Sequence, residues 1–175
     1  MNTIIEDGND FFEELASNFP ELFEKSQCNE YIAVGSGWFD ILHAWCECVC
    51  IDLHNAQYAL KAAIDYPRLN QPSHVHDCEN QIHKAIDNLP IIIDIKDKFG
   101  TLRIQLTNFS EKVQSYTRMA ERMSRKTCEV CGNKATIHVD DTGYSAARCA
   151  RHKSSNRDAM FLDGRIPPIF GDEDH

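Results

Sequence analysis

Apolar residues Phe11, Phe12, Leu15, Phe19, Leu22 and Phe23 recur at helical spacing, and Pro20 interrupts them. The pattern predicts one kinked helix or two short ones. After a loop holding Gly35 and Gly37, the apolar positions Trp38, Leu42, Trp45, Val49, Ala56, Leu60 and Ala63 step by three, four or seven. That repeat predicts one long amphipathic helix ending near Asp65. Pro67 and Pro72 mark a connection, and Cys78, Ile82, Ala85, Ile86 and Leu89 predict a further helix closed by Pro90.

The period then becomes two. Ile91, Ile93 and Ile95 predict one face of a strand, and Leu102, Ile104 and Leu106 one face of a second. Between them, Lys96 to Gly100 supplies a hairpin loop in which Gly100 can take positive φ. Asn108, with Glu111 three residues on, predicts the cap of another helix with the apolar stripe Val113, Tyr116, Ala120 and Met123. Further on, Ala135, Ile137 and Val139 alternate with polar residues, Asp140 to Gly143 forms a turn, and Tyr144 to Arg148 returns as a partner strand. The expected fold class is α+β: a helical body with a β-hairpin (91–107) over residues 1–109, a basic helix with a small ribbon hairpin over 110–157, and an acidic tail over 158–175.

Composition agrees with a folded domain, since 42% of the 175 residues are hydrophobic and 26% charged. No apolar run reaches bilayer length, and Asn2, Glu6, Asp7 and Asp10 replace the basic start of a secretory signal, so the expected setting is a cytoplasm with no membrane partner. The net charge of −9 is unevenly spread. Residues 1–95 hold 4 basic and 16 acidic residues, residues 96–157 hold 13 and 6, and residues 158–175 hold 1 and 5. Such asymmetry implies two surfaces with different partners, or halves that attract each other.

Eight cysteines without a secretory signal favour a metal site over a disulfide framework. Cys128 and Cys131 form a Cys-x-x-Cys pair followed by Gly132, and Cys149 and His152 form a Cys-x-x-His pair after 17 intervening residues. Two residues between ligands let one tight knuckle place both on the same tetrahedral ion, so one structural Zn²⁺ is expected on these four. With every position filled by protein, no open site is left for substrate. Loss of a ligand is expected to unfold the ribbon and leave the helical part largely intact.

Two weaker patterns accompany the motif. His43, Glu47, Cys50 and His54 follow steps of four, three and four along the predicted long helix, a spacing that would suit a second metal site or an acid/base centre. Any amphipathic helix exposes a polar stripe of this kind. Arg118, Arg122 and Arg125 share one edge of the helix before the ribbon, with Arg148 and Arg151 on or beside the second knuckle. They are candidate contacts to nucleic acid or to a partner, although Glu121 is placed to pair with Arg125 at i, i+4.

Several segments, taken in order, resemble a family of small, functionally uncharacterised proteins encoded by bacteriophages and prophages. They are Pro20-Glu-Leu-Phe23, Gly35-Ser-Gly-Trp38-Phe39-Asp40 with Cys46, Ile95 to Arg103 containing Lys98-Phe-Gly-Thr-Leu-Arg103, Met119 to Ser124, Thr127 to Gly132, and Cys149 to His152. The resemblance implies a phage origin, hence a host-cell cytoplasm, and a ribbon fused to a helical and hairpin body; it implies no activity. It does not extend to the cysteine- and histidine-rich stretch from His43 to His83 or to the tail.

The function expected first is a non-enzymatic binder of a host protein, such as a defence nuclease, which it blocks. A nucleic-acid-binding ribbon protein using Arg118, Arg122 and Arg125 is the alternative. An enzyme centred on His43, Glu47 and His54 is third. Phe161, Leu162, Ile166, Ile169 and Phe170 in the tail would either strap onto the body or form a docking segment for a partner.

Overall fold

A computed structural model describes residues 9–26, 32–66 and 72–153. The tail, 158–175, lies outside the described residues, as does Pro67. The fold is α+β: six α-helices, one 3-10 turn (Ser36–Trp38) and two antiparallel two-stranded sheets among these residues. Helix α1 (Asn9–Asn18) stops at Phe19, and α2 (Pro20–Glu24) restarts with Pro20 in its first turn, where a missing N–H costs nothing. Two short helices result.

The expected long helix is bent. Helix α3 (Phe39–Val49) and helix α4 (Ile51–Asp65) meet at Cys50, whose ψ opens to 2° while the hydrogen bonds Cys50 N to Cys46 O and His54 N to Cys50 O persist at 2.9 Å. The reason lies in the partners. Helix α3 packs on α6 (Glu111–Ser124), whereas α4 packs on α5 (Pro72–Asp87), and one straight helix cannot turn its apolar side to both.

Strands β1 (Ile91–Asp97) and β2 (Leu102–Thr107) form the predicted hairpin with a changed register. A bulge between Ile92 and Asp94 shifts the alternation, so Ile92 and Ile95 are buried in place of Ile91, Ile93 and Ile95. The outer edge of β1 is closed by Ala33, which exchanges two hydrogen bonds with Ile95 and Asp97. The cap of α6 also differs from expectation. Ser110, not Asn108, accepts the N–H of Val113 (3.3 Å), because Asn108 takes a left-handed conformation at φ 54° to turn the chain out of β2.

The second sheet pairs β3 (Thr136–Val139) with β4 (Ser145–Arg148). One hydrophobic core joins the parts: Leu15, Leu22, Trp38, Leu42 and Trp45 share it with Val113 and Ala120 of α6 and Ala147 of β4. Residues 110–153 are therefore built into the body. Both tryptophans, fully desolvated, have donors satisfied by the C-terminal half, Trp45 Nε1 by Thr117 Oγ1 (3.1 Å) and Trp38 Nε1 by the carbonyl of Thr127 (2.9 Å). No helix among the described residues is long and apolar enough to cross a membrane.

Candidate metal centre

Each of the four predicted ligands comes from one of two knuckles. In the first, Gly132 N donates to Cys128 O (2.8 Å) and Gly132 takes φ 72°, a conformation that glycine adopts without a steric penalty. In the second, His152 N donates to Cys149 O (3.0 Å). The β3–β4 hairpin sets the two knuckles face to face, and the four ligand atoms lie within 4.8 Å of one another. Cys128 Sγ and Cys149 Sγ are 3.5 and 3.4 Å from His152 Nδ1, and Cys131 Sγ is 3.8 Å from Cys149 Sγ. A tetrahedral ion about 2.3 Å from sulfur and about 2.05 Å from nitrogen would set edges of about 3.8 and about 3.5 Å. The ligand set fits such an ion and could hold it.

Electrostatics prepares the sulfurs unequally. Burial opposes charge on Cys149, but the backbone N–H groups of His152 and Arg151, with the neighbouring thiols of Cys128 and Cys131, outweigh it and hold this thiol below its ordinary value. At Cys128 burial dominates over the backbone donors and raises the value. Asn133 Nδ2 donates to Cys131 Sγ (3.3 Å), a second-layer contact that orients the ligand.

The knuckle is clamped by the body. Gly37 N donates to Glu129 O (2.8 Å) and Gly35 N to Glu129 Oε1 (3.3 Å). A Cβ on Gly37 would lie 2.2 Å from Cys128 O and 2.5 Å from Gly132 N, so the two backbones touch only because this residue is glycine. Beneath the knuckle, Arg148 Nη1 donates to Glu129 Oε2 at 2.7 Å, with both side chains no more than 3% exposed. Removing one partner from a pair this deeply buried strands a charge. Arg148→Met is expected to lower unfolding stability by about 3–5 kcal/mol, while Glu129→Leu with Arg148→Met recovers most of it; urea denaturation of the two variants checks this, and equal losses would show that the pair itself stabilises the fold.

On its other side, β4 supports the β1–β2 turn. A Cβ on Gly100 would lie 2.9 Å from the Ala146 backbone, and Tyr144 Oη donates to Asp97 Oδ2 (3.0 Å). Lys98 and Thr101 exchange backbone hydrogen bonds around Phe99 and Gly100, both at positive φ (56° and 70°), which is a two-residue type I′ turn. Phe99 at its tip is 73% exposed.

The upstream candidates do not converge. Among the described residues, only the Cys128, Cys131, Cys149 and His152 set brings three or more such ligand atoms together. His43 Nδ1 is 3.9 Å from Glu47 Oε1, but the rings of His43 and His54 both pack against Phe19, with centroids at 5.1 and 6.2 Å. Cys50 is buried, and burial together with the charge of Glu21 pushes its thiol up to about 12. His43 is half-buried, Glu47 and His54 are exposed and Cys50 is in the core, so the four do not share one environment. Cys46 and Cys50 are core thiols and Cys48 is half-buried.

The basic residues separate. Arg118, Arg122, Arg125 and Arg151 are exposed, whereas Arg148 is committed to Glu129. Glu121, expected beside Arg125, pairs instead with Arg103 of β2 (2.9 Å). Sequence reasoning missed Gly35, Gly37, Glu129 and Phe99 as parts of the site, and placed Arg148 at the second knuckle without its buried partner. A signal existed only for the glycines, two of them flanking Ser36 immediately before a buried Trp38.

In comparisons with protein-family models, with curated proteins and with solved structures, nothing matches the chain.

Proposed function

We propose that this protein is a non-enzymatic binder, with one Zn²⁺ as a structural staple on Cys128, Cys131, Cys149 and His152. Zinc is favoured by three thiolates and one imidazole at tetrahedral edge lengths. The ion would draw the two knuckles together and hold β4 under the hairpin tip, and the four protein ligands leave it no position for substrate.

The observation that carries the reading is Phe99. A large aromatic residue in the left-handed region costs of order 1–3 kcal/mol, and here it also faces water. The usual residue at that place in a type I′ turn is Asn. An aromatic side chain presented on a turn held rigid by Gly100 against β4 suits the centre of a protein interface. The resemblance to phage-encoded proteins adds the setting: a host cytoplasm and a host protein as target, a defence nuclease being the kind of target whose blockade serves a phage.

Phe99→Asn tests this with opposite signs. Thermal unfolding is expected to show a gain of about 0.5–1 kcal/mol, while the wild-type chain is expected to capture a specific protein from bacterial lysate and the variant to capture it tenfold less or weaker, about 1.4 kcal/mol. Undiminished capture by the variant would remove Phe99 from the interface and the reading with it.

A further inference from the structure

Helix α6 turns toward solvent a face of unusual chemistry. Arg118, Met119, Arg122, Met123, Arg125 and Lys126 are all exposed, and the two methionines are half in water at 50% and 48%. Steps of three and four place most of them on one side of the helix. Ser115, Arg118, Met119, Arg122, Met123 and Lys126 line a shallow cleft of about 470 Å³, and Arg118 also walls a neighbouring cleft of about 320 Å³ between β2 and α6, which Phe109 and Leu106 share.

The charge on this face is uncompensated within the helix. Between Arg118 and Lys126 the sole acid is Glu121, and its carboxylate is held by Arg103. Four cations around two adaptable thioethers form a surface for an occupant that is both acidic and apolar. Arg and Met are the residues enriched at protein interfaces, and Met repacks readily around an aliphatic or aromatic insert. A nucleic acid would use the cations and leave the thioethers in water.

The chain itself carries a segment of matching chemistry. Residues 158–175 hold five acidic residues against one arginine, interleaved with Phe161, Leu162, Ile166, Ile169 and Phe170. Its point of departure is close. His152 Nδ1 is 3.5 Å from Cys128 Sγ, and Cys128 follows the last residue of α6 by four positions. Six residues from His152 to Asp158 reach up to about 20 Å, while Arg118 to the helix end at Ser124 covers about 9 Å, with Arg125 and Lys126 in the turn that follows. The whole stripe is within range.

We propose that the Arg/Met face of α6 binds the chain's own acidic, apolar segment 158–175. Charge complementarity, the paired apolar content and the anchor beside the C-terminal end of α6 all favour this occupant over a foreign one. Occupied in this way, the stripe is withheld from polyanions such as nucleic acid. This proposal goes beyond the binder reading and uses a face other than Phe99.

The test uses the full chain with the photo-crosslinking residue benzoylphenylalanine in place of Met119, and in a second preparation in place of Met123; both positions are exposed, so the fold tolerates the probe. Mass spectrometry is expected to map the crosslinks to residues 158–175 of the same chain, with a yield independent of protein concentration. Neutralising the acidic end (Asp172→Asn, Glu173→Gln, Asp174→Asn) is expected to lower that yield about fivefold or more, as is Arg118→Glu with Arg122→Glu, while Phe99→Asn leaves it unchanged. Crosslinks to a second copy that rise with concentration, crosslinks to co-purified nucleic acid, or none to 158–175 from either position would overturn it.

Discussion

With the proposed ion on Cys128, Cys131, Cys149 and His152, its removal by chelation or by Cys149→Ser is expected to release residues 35–38 along with the β3–β4 hairpin. The expectation from sequence was a ribbon that unfolds by itself. The contacts argue otherwise: Gly37 N, Gly35 N and Trp38 Nε1 each donate to residues 127–129, and Gly100 rests on Ala146. Binding of structural zinc contributes on the order of 10 kcal/mol or more in small modules, several times the stability that a peripheral hairpin could supply alone. Native-state hydrogen exchange reads the effect at one site. The Gly37 amide should lose its protection on chelation, while amides of α4 and α5, which pack on each other at the opposite end of the bend, keep most of theirs. A Gly37 amide still protected in the metal-free chain would show that the knuckle folds without the ion.

Gly37→Ala should be nearly as damaging without touching a ligand. Its added methyl would meet Cys128 O at 2.2 Å, Gly132 N at 2.5 Å and Cys131 N at 2.6 Å, all backbone atoms of the knuckle, so no side chain can rotate away. Over-packing of this kind costs about 1–3 kcal/mol where side chains give, and more is expected here because the knuckle must separate from the body. A loss of about 3 kcal/mol or more in urea unfolding, with weaker metal binding by linkage, is the expected result. Gly35→Ala, facing Glu129 O at 2.3 Å, should cost a similar amount, and the double variant less than the sum, since both break one docking. Gly143→Ala is the control. Its Cβ meets nothing within 4 Å, so only the strain of φ 86° remains, about 1–2 kcal/mol. If Gly37→Ala cost no more than Gly143→Ala, close approach would not be what Gly37 provides.

Much of the local structure was legible in the sequence because it rests on short-range physics. Pro20 splits α1 from α2, the change of period from helical to alternating marks β1 and β2, and the spacing of Cys128, Cys131, Cys149 and His152 names the ligands. Where reading failed, a distant partner had intervened. Cys50 has no feature of a helix breaker; the bend exists because α5 and α6 lie on different sides. The alternation of Ile91, Ile93 and Ile95 was overridden by a bulge that brings Ile92 and Ile95 to the core. The spacing of His43 and His54 looked like ligand geometry, and Phe19, at the break between α1 and α2, packs on both rings.

The sequence by itself therefore determined which elements form and which four residues can hold a metal, since capping, periodicity and ligand spacing act over a few residues. Only the tertiary structure decided how the four-residue cluster is tied to the rest of the molecule. Arg148 reads as a basic contact residue until a 2.7 Å bond to Glu129 and near-complete burial make the two one buried pair, and Glu121 reads as Arg125's partner until Arg103 takes it. Gly35 and Gly37 read as a loop until a backbone 94 residues away occupies the space that a side chain would fill. Ion pairing, desolvation and close packing depend on distances across the fold, and those are set only when all the elements have docked.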